Sequence, residues 1–169
     1  MSNDIVSPTD LQLNDETVVQ IKRVSKATTG GRKMGFSAIV VVGDGKGCVG
    51  IGFGKANEVA SAVNKAKTYA KKNIFKTPLI KGTIPHRLDI KFGSVKLMLK
   101  PASPGTGIIA GGSVRAIMEQ LGVTDILAKN TGSTNPLNVV KAVEKGLKSL
   151  RDPLVVSRQR GIKLQELFN

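Results

Sequence analysis

The segment at residues 49–54 constrains the fold of this chain more than any other. It reads Val49-Gly-Ile-Gly-Phe-Gly54, so in an extended strand Val49, Ile51 and Phe53 share one face and the three glycines form the other. A strand face without Cβ atoms suits close approach by a helix or by another backbone. A glycine-tolerant edge strand is the alternative interpretation, and the pattern alone does not separate the two.

Two further strands are predicted before this segment. Val18, Val19, Ile21 and Val24 lie among cationic residues, and a second strand follows from the alternation between residues 36 and 42. The run Gly43-Asp-Gly-Lys-Gly47 then joins alternating segments, and Asp-Gly in that position is a strong hairpin signal. Three consecutive strands are therefore expected.

A helix is predicted to follow these strands, over residues 57–76. Asn57 is its expected N-cap, and Glu58 supports the first turn electrostatically. The residues that recur at helical spacing, and so form its predicted core face, are Val59, Val63, Ala66, Ala70 and Ile74. Thr77-Pro78 ends the unit, so residues 17–78 predict a first domain of the order strand–strand–strand–helix.

Residues 79–169 predict a second α+β domain with no internal repeat of the first. Its predicted elements are a hairpin at 88–99, a helix with buried residues from Val114 to Leu121 that ends at Gly122, a strand at 126–128, a helix capped by Asn135 with Pro136 in its first turn, a short helical piece from Asp152, and a final helical turn that includes Phe168. The predicted fold class is thus α+β, in two small domains.

Positive charge dominates the composition. Lys and Arg number 26 against 12 Asp and Glu, which gives a formal net charge of +14. Such an excess favours a polyanionic partner, and nucleic acid above all. Only 4% of residues are aromatic and Trp is absent, so contact with phosphates and helical shape is expected rather than stacking of bases on aromatic platforms.

Residues 1–16 carry the opposite charge. They contain Asp4, Asp10, Asp15 and Glu16 and no basic residue, which predicts a flexible acidic leader that does not hold phosphates. The N-terminus has neither the basic start nor the apolar centre of a signal peptide, and no run approaches the roughly 18 apolar residues of a membrane-spanning helix. A cytosolic protein, or one in an equivalent compartment, is expected.

The cations of the first domain are the candidate RNA-binding residues. Thr28-Thr-Gly-Gly-Arg-Lys33 predicts a flexible basic loop, and lysines form ridges along the predicted helix. A solvated lysine face is the usual explanation of such a helix, but the nearby basic loop favours RNA contact. The candidates are Lys22, Arg23, Lys26, Gly30, Gly31, Arg32, Lys33, Lys55, Lys65 and Lys72.

Enzymatic chemistry finds little support in the residue pattern. Cys48, the only cysteine, lies in an apolar strand pattern, and His86, the only histidine, is expected to pack or to lie at the surface. The carboxylates are scattered, so no metal site and no cofactor are predicted. One alternative stays open, because backbone N–H groups of the glycine-rich run at 105–113, which enters a helix, could hold a nucleotide phosphate.

Four sequence blocks together resemble the small-subunit ribosomal protein five family, in its bacterial or organellar form. They are Arg23-Val-Ser-Lys26 with Gly30-Gly-Arg32; Val41-Val-Gly-Asp-Gly45 with Val49-Gly-Ile-Gly-Phe-Gly-Lys-Ala56; Pro101-Ala-Ser103 with Gly105-Thr-Gly-Ile-Ile-Ala-Gly-Gly112 and Arg115; and Leu127-Ala-Lys129 with Gly132-Ser-Thr-Asn-Pro136. Their order and spacing extend from about residue 17 to the C-terminus.

The resemblance implies a non-enzymatic protein of the small ribosomal subunit that binds its rRNA. It implies a first domain like a double-stranded-RNA-binding domain without its first helix, and a second domain with an α/β-sandwich fold shared with some kinases and translation factors. It further implies contacts with small-subunit proteins four and eight, a place near the mRNA entry path, stabilisation of the head relative to the body, and a contribution to translational accuracy.

The resemblance also assigns particular residues. Gly30, Gly31 and Arg32 would form the loop that reaches rRNA near the neck of the subunit, where spectinomycin binds. The surface that faces protein four would comprise Gly105, Thr106, Gly107 and Arg115. Pro104 stands where the family usually has an acidic residue, which removes the basis for a charge-based role there. A free RNA chaperone or regulator outside the ribosome is the alternative function.

Overall fold

The computed structural model describes residues 13–14 and 16–167. Most of the predicted leader, with Asp4, Asp10 and Asp15, lies outside the described residues, and so does Phe168 of the predicted final turn. In the described part no helix is long and apolar enough to span a membrane.

The chain forms two modules, each built on a four-stranded sheet. The elements of the first module are β1 (Thr17–Thr28), β2 (Gly31–Gly43), β3 (Cys48–Ala56), α1 (Val59–Lys72) and β4 (Ile74–Lys76). Those of the second module are β5 (Leu88–Phe92), β6 (Val95–Pro101), β7 (Ile108–Ile109), α2 (Gly112–Leu121), β8 (Ile126–Gly132), α3 (Pro136–Ser149), α4 (Pro153–Arg160) and a short 3-10 helix (Leu164–Leu167). The prediction of a two-part α+β fold is confirmed.

The glycine face of β3 packs directly on α1. Ala62, Ala66 and Ala70 of α1 are completely buried, and their backbone carbonyls lie where Cβ atoms on Gly54, Gly52 and Gly50 would have to be. β3 is an inner strand between β2 and β4. Of the two interpretations of this segment, close approach by a helix is therefore the right one.

The predicted helix over residues 57–76 proved too long at both ends. Glu58 occupies the N-cap position instead of Asn57, and the helix stops at Lys72. Ile74 and Phe75 are buried as residues of β4, which pairs with the start of β3. The core face of α1 also differs from the predicted one. It consists of alanines, because only a small side chain lets the helix come close enough to the glycines of β3, whereas Val59 is 37% exposed.

The second sheet has the strand order β5-β6-β8-β7. The strand β7, which was not predicted, has two residues, lies at the edge of the sheet, runs parallel to β8 and is joined to it through α2. The predicted helix ends are confirmed: Gly122 adopts the left-handed conformation (φ 85°), and Asp152 accepts a hydrogen bond from the Leu154 N–H (3.0 Å). The helices α2 and α3 cover one face of this sheet, and nothing else in the described ranges covers the other face.

The two modules share one continuous hydrophobic core. Ile39, Val41 and Val49 of the first sheet belong to the same buried cluster as Leu121 and Ile126 of the second module. The end of α2 also binds the β2–β3 turn, since the backbone N–H groups of residues 45 and 47 donate to the carbonyls of residues 120 and 121 (3.1 and 3.0 Å). The first sheet therefore lies between α1 and the second module.

The described residues before β1 contact the body of the first module. Leu13 packs against the cluster formed by Val40, Val42 and α1, and the Asn14 N–H donates to the carbonyl of Gly43 (2.8 Å). Glu16 forms an ion pair with Lys67 of α1 (2.7 Å). One lysine of the helix is thus neutralised within the chain.

Candidate nucleic-acid interface

The outer half of the β1–β2 hairpin is an arm that extends beyond the packed sheet. Residues 20–34 are exposed except for Val24, which is half-buried, whereas β2 from residue 37 to residue 43 is buried. The two strands stay paired in register from Gln20–Ile39 out to Thr28–Gly31. A two-stranded ribbon of this kind gains little stability of its own, so a long exposed arm is typical of a contact with another molecule.

The arm carries five cations and no carboxylate. In fact residues 17–43 contain no Asp or Glu at all. Strand alternation places Lys22, Lys26 and Lys33 on one face and Arg23 and Arg32 on the other. Lys26 lies directly opposite Lys33, so their positive charges repel each other in the free protein. A bound external anion would reduce this repulsion.

The tip of the arm is a tight turn around Gly30 and Gly31. The Thr28 hydroxyl donates to the carbonyl of Gly31 (3.1 Å), and Gly31 has φ 138°, which other residues rarely adopt. No atom lies within 4 Å of where a Cβ would stand on either glycine. The turn therefore presents bare backbone beside Arg32 and Lys33.

Lys55 extends the cationic face of the arm onto β3. Ser37 is the register partner of both Lys22 and Lys55, so these three residues form a row across β1, β2 and β3. The Lys55 ammonium lies 5.4 Å from the centre of the Phe53 ring, which is itself 37% exposed. An exposed lysine resting on an exposed aromatic ring supplies both charge and a stacking surface.

Two lysines of α1 face solvent on the outer side of the helix. Lys65 and Lys72 flank Tyr69, which is 56% exposed, in a shallow depression also lined by Asn64 and Thr68. Lys72 lies in the last turn, where a cation also stabilises the helix dipole. The structure thus brings Lys65 and Lys72 together on one ridge, whereas Lys76, the last residue of the predicted helix, lies in β4.

The glycine-rich segment forms a second exposed surface, on the second module. Gly105 and Gly107 have positive φ (90° and 76°), and Thr106 holds the loop with a hydroxyl hydrogen bond to the carbonyl of Ser103 (2.7 Å). Arg115, exposed on α2, donates to the carbonyl of Ile108 (2.8 Å). All four predicted interface residues, from Gly105 to Arg115, therefore lie around one loop and the start of α2.

Asp125 organises this loop, and sequence reasoning missed it as a site residue. It is 7% exposed, accepts from the Thr124 hydroxyl (2.7 Å), and accepts from the backbone N–H of Gly107 (2.9 Å). These bonds, with the Thr124 hydroxyl the largest contribution, lower the pKa of the Asp125 carboxyl below its ordinary value. The only sequence signal was an acidic residue in an apolar stretch just before a strand.

The described residues contain no group of three or more His, Cys, Asp or Glu side chains that could hold a metal ion. Burial, reinforced by the neighbouring Asp44, raises the pKa of the Cys48 thiol to about 11, so this thiol is not a nucleophile at neutral pH. His86 packs between Arg87 and Arg151, with ring nitrogens 2.9 Å from the carbonyl of Arg87 and 3.4 Å from the N–H of Arg151.

The fold and these surfaces define a class of protein: strongly basic, built from two α+β modules, and equipped with contact surfaces. Comparison with known families narrows the class. The N-terminal domain model of ribosomal protein S5 matches residues 14–78, and its C-terminal domain model matches residues 90–160. The chain therefore belongs to the ribosomal protein S5 family, as the resemblance indicated. This family is structural and not enzymatic, which sets aside the enzyme alternative.

Bacterial relatives match over nearly their whole length. The small ribosomal subunit protein uS5 of Bacteroides thetaiotaomicron is 47% identical over 168 residues, which cover 99% of this chain and 97% of the relative. The proteins of the same name from Flavobacterium psychrophilum and Dehalococcoides mccartyi are each 50% identical, over 165 and 161 residues, with 98% and 95% of this chain and 94% and 93% of the relatives covered.

Proposed function

We propose that this chain is a structural constituent of the small ribosomal subunit of the cytoplasm. In this proposal the arm, Lys55 and the outer side of α1 bind small-subunit rRNA, and the glycine-rich surface docks against a neighbouring ribosomal protein. Family membership and the names of the bacterial relatives support the assembly. The charge and the shape of the two surfaces support the binding roles of individual residues.

The single observation that carries RNA binding is the uncompensated charge of the arm. A solvated lysine face on a folded protein usually has acidic neighbours, as the pair of Lys67 with Glu16 shows. Among residues 13–14 and 16–167 the arm has none, and it holds Lys26 opposite Lys33 at some loss of its own stability. Phosphate groups relieve that repulsion, and lysine and arginine are the residues that hold them.

The glycine-rich surface fits a protein neighbour better than a phosphate. Around Gly105, Gly107 and Gly112 no protein atom occupies the space a Cβ would fill, so another backbone can approach closely. Arg115, a cation of this surface, already donates a hydrogen bond to the carbonyl of Ile108. We assign this surface to protein four, and a further contact to protein eight, from the family resemblance.

We take the finer roles from the family resemblance, and the two surfaces on one continuous core are compatible with them. An arm that holds rRNA near the neck, and a second surface that holds protein four, would stabilise the head relative to the body and influence decoding accuracy near the mRNA entry path. The same assignment places the spectinomycin site close to the turn at Gly30, Gly31 and Arg32.

Sedimentation tests the assembly. The tagged chain, expressed in its bacterial host, should co-sediment with small subunits in a sucrose gradient at one copy per particle. Recovery only at the top of the gradient, bound to free RNA, would instead support a chaperone or regulator outside the ribosome.

Charge reversal at the tip tests the arm. Arg32→Glu should weaken binding to small-subunit rRNA and flatten its salt dependence, by about 0.7–0.9 in the log–log slope for each phosphate that the arm no longer neutralises. Lys46→Glu is the matched control, because Lys46 is equally exposed but lies in the turn at the opposite end of β2. Equal slopes for the two variants would contradict the assignment.

Arg115→Asp tests the protein surface. It should raise misreading in a reporter assay while the salt slope of rRNA binding stays unchanged. Arg115→Lys distinguishes a direct contact with the neighbouring protein from support of the loop. Lysine keeps the positive charge but holds the Ile108 carbonyl less well. Normal accuracy in Arg115→Asp ribosomes would defeat this part of the proposal.

A further inference from the structure

In the part of the chain that the structure describes, one face of the second sheet is covered by no other element. On this face lie the residues of β5, β6 and β8 that alternate with the core residues: Asp89, Lys91, Lys96, Met98, Lys100, Leu127, Lys129 and Thr131. All except Met98 and Leu127, which are half-buried, are exposed. The helices α2 and α3 pack on the other face, so this one is available for a partner; we call it the open sheet face.

The registers of the strands bring its cations together. Lys91 lies directly opposite Lys96, and Lys96 is in turn opposite Thr131. In the next row Met98 lies between Asp89 and Lys129, and in the third Lys100 lies opposite Leu127. The pairing of Lys91 with Lys96 repeats the repulsive arrangement of the arm, on a different module.

The only carboxylate of the open sheet face does not neutralise these lysines. Asp89 is held by Arg87 in a two-pronged contact, with the Nε and one terminal nitrogen of the guanidinium at 2.9 and 3.1 Å from its two oxygens. The described ion pairs include none for Lys91, Lys96, Lys100 or Lys129. Four positive charges thus remain on this face, and two of them, those of Lys91 and Lys96, line a shallow hollow of about 350 Å³ beside Met98.

We infer that the open sheet face is a second RNA-binding surface, which holds the sugar–phosphate backbone of rRNA. Its chemistry favours RNA over protein, because lysine is depleted in protein–protein interfaces whereas it is a regular phosphate ligand. The two half-buried apolar residues, Met98 and Leu127, are too few for the core of a protein interface. This inference rests on the proposed function but concerns the module to which that proposal assigns only protein contacts.

Photo-crosslinking from the centre of the face identifies the partner. A photoreactive phenylalanine analogue at Met98, in the full chain assembled into small subunits, should crosslink to rRNA on irradiation. The same analogue at Leu154, an exposed residue of α4, is the positional control. A crosslink from position 98 to a protein, or no crosslink in particles that contain the chain, would overturn the inference and leave the proposed function intact. Absence of the chain from the particles would instead count against the proposed function.

The salt dependence of binding gives a second measure that needs no unusual residue. The triple variant Lys96→Ala, Lys100→Ala, Lys129→Ala should lower the slope of log affinity against log salt for a small-subunit rRNA transcript by roughly 2–3. Lys141→Ala, Arg160→Ala and Lys163→Ala together form the control, since these exposed cations lie on α3, on α4 and after α4, outside the open sheet face. A slope equal to that of the wild type, or an equal reduction in the control, would overturn the inference.

Discussion

Two glycine-rich segments of this molecule look alike in sequence and serve opposite purposes. In β3, glycines alternate along a strand, and the space above each is filled by the backbone of α1. Around residues 105–112, glycines surround a loop and a helix start, and no atom of the described residues lies within 4 Å of where a Cβ on these glycines would stand. The first set allows the chain to pack against itself, and the second leaves room for another molecule.

The difference between the two segments shows two reasons why a position can be occupied by glycine. A glycine in a packed interior is required by the fold, and any Cβ there collides with fixed atoms. An open glycine with ordinary dihedrals, such as Gly111 at φ −66°, is not required by the fold at all. The comparison therefore predicts where substitutions act on stability and where they act only on binding.

The largest effect is expected for Gly52→Ala. Its Cβ would collide with the carbonyl oxygen of Ala66 and stand 2.6 Å from the backbone nitrogen of Ala70. Neither atom can move without displacing α1, so the free energy of unfolding should fall by at least about 2 kcal/mol in urea denaturation. Adding Ala66→Gly should not restore the stability, because the atoms that the new methyl group meets belong to the helix backbone. A restored stability would contradict the distinction between packed and open glycines.

A smaller loss is expected for Gly107→Ala. Nothing obstructs the new methyl group, but φ 76° is unfavourable for alanine, at roughly 1–2 kcal/mol. The loss should appear in urea denaturation or as local opening of the loop in amide exchange. A loss as large as that of Gly52→Ala would mean that the loop is packed as tightly as β3.

Acid should loosen the glycine-rich loop without affecting β3. The lowered pKa of Asp125 means that its ionised form stabilises the folded loop. That stabilisation is complete above the unfolded pKa of about 3.9, and is lost as the pH falls through the lower folded pKa. The Gly107 amide signal in an NMR titration should move in that acidic range, and Asp125→Asn should abolish the movement. An unchanged titration in the variant would assign the effect to another group.

The smallest effect on stability is expected for Gly112→Ala. Gly112 is the first residue of α2, with open space beside it, so alanine should stabilise the fold by at most about 1 kcal/mol. If the surface docks a protein closely, the same variant should nevertheless weaken that contact, measured by accuracy in a misreading assay. A destabilised Gly112→Ala would show that this glycine, too, is required by the fold.

Local patterns predicted most elements of the fold correctly. The hairpin turn at Asp44-Gly45, the left-handed end of α2 at Gly122, and the caps of α3 and α4 depend on a few neighbouring residues, and all were confirmed. The short strands β4 and β7 were missed, because three or two residues carry no periodicity and depend on pairing with distant strands. The end of α1 was misplaced for the same reason.

The candidate binding surfaces, like the fold, were predicted only in part from the sequence. The cations of the arm were visible as a basic loop between strands, but the opposition of Lys26 to Lys33 depends on the strand register. The role of Asp125 depends on a loop that begins more than twenty residues earlier and folds back on it. The residue roles inferred from the resemblance remain predictions, for which the variants above are the tests.

The sequence by itself determined the longer strands, the turns, most helix ends and the excess of positive charge, because these depend on backbone preferences and side-chain chemistry over a few residues. Tertiary structure alone decided which glycines are buried, which lysines lie opposite each other, and how the end of α2 joins the two modules through one core. Those properties arise from contacts between residues far apart in the chain, and only the packed backbone fixes their distances.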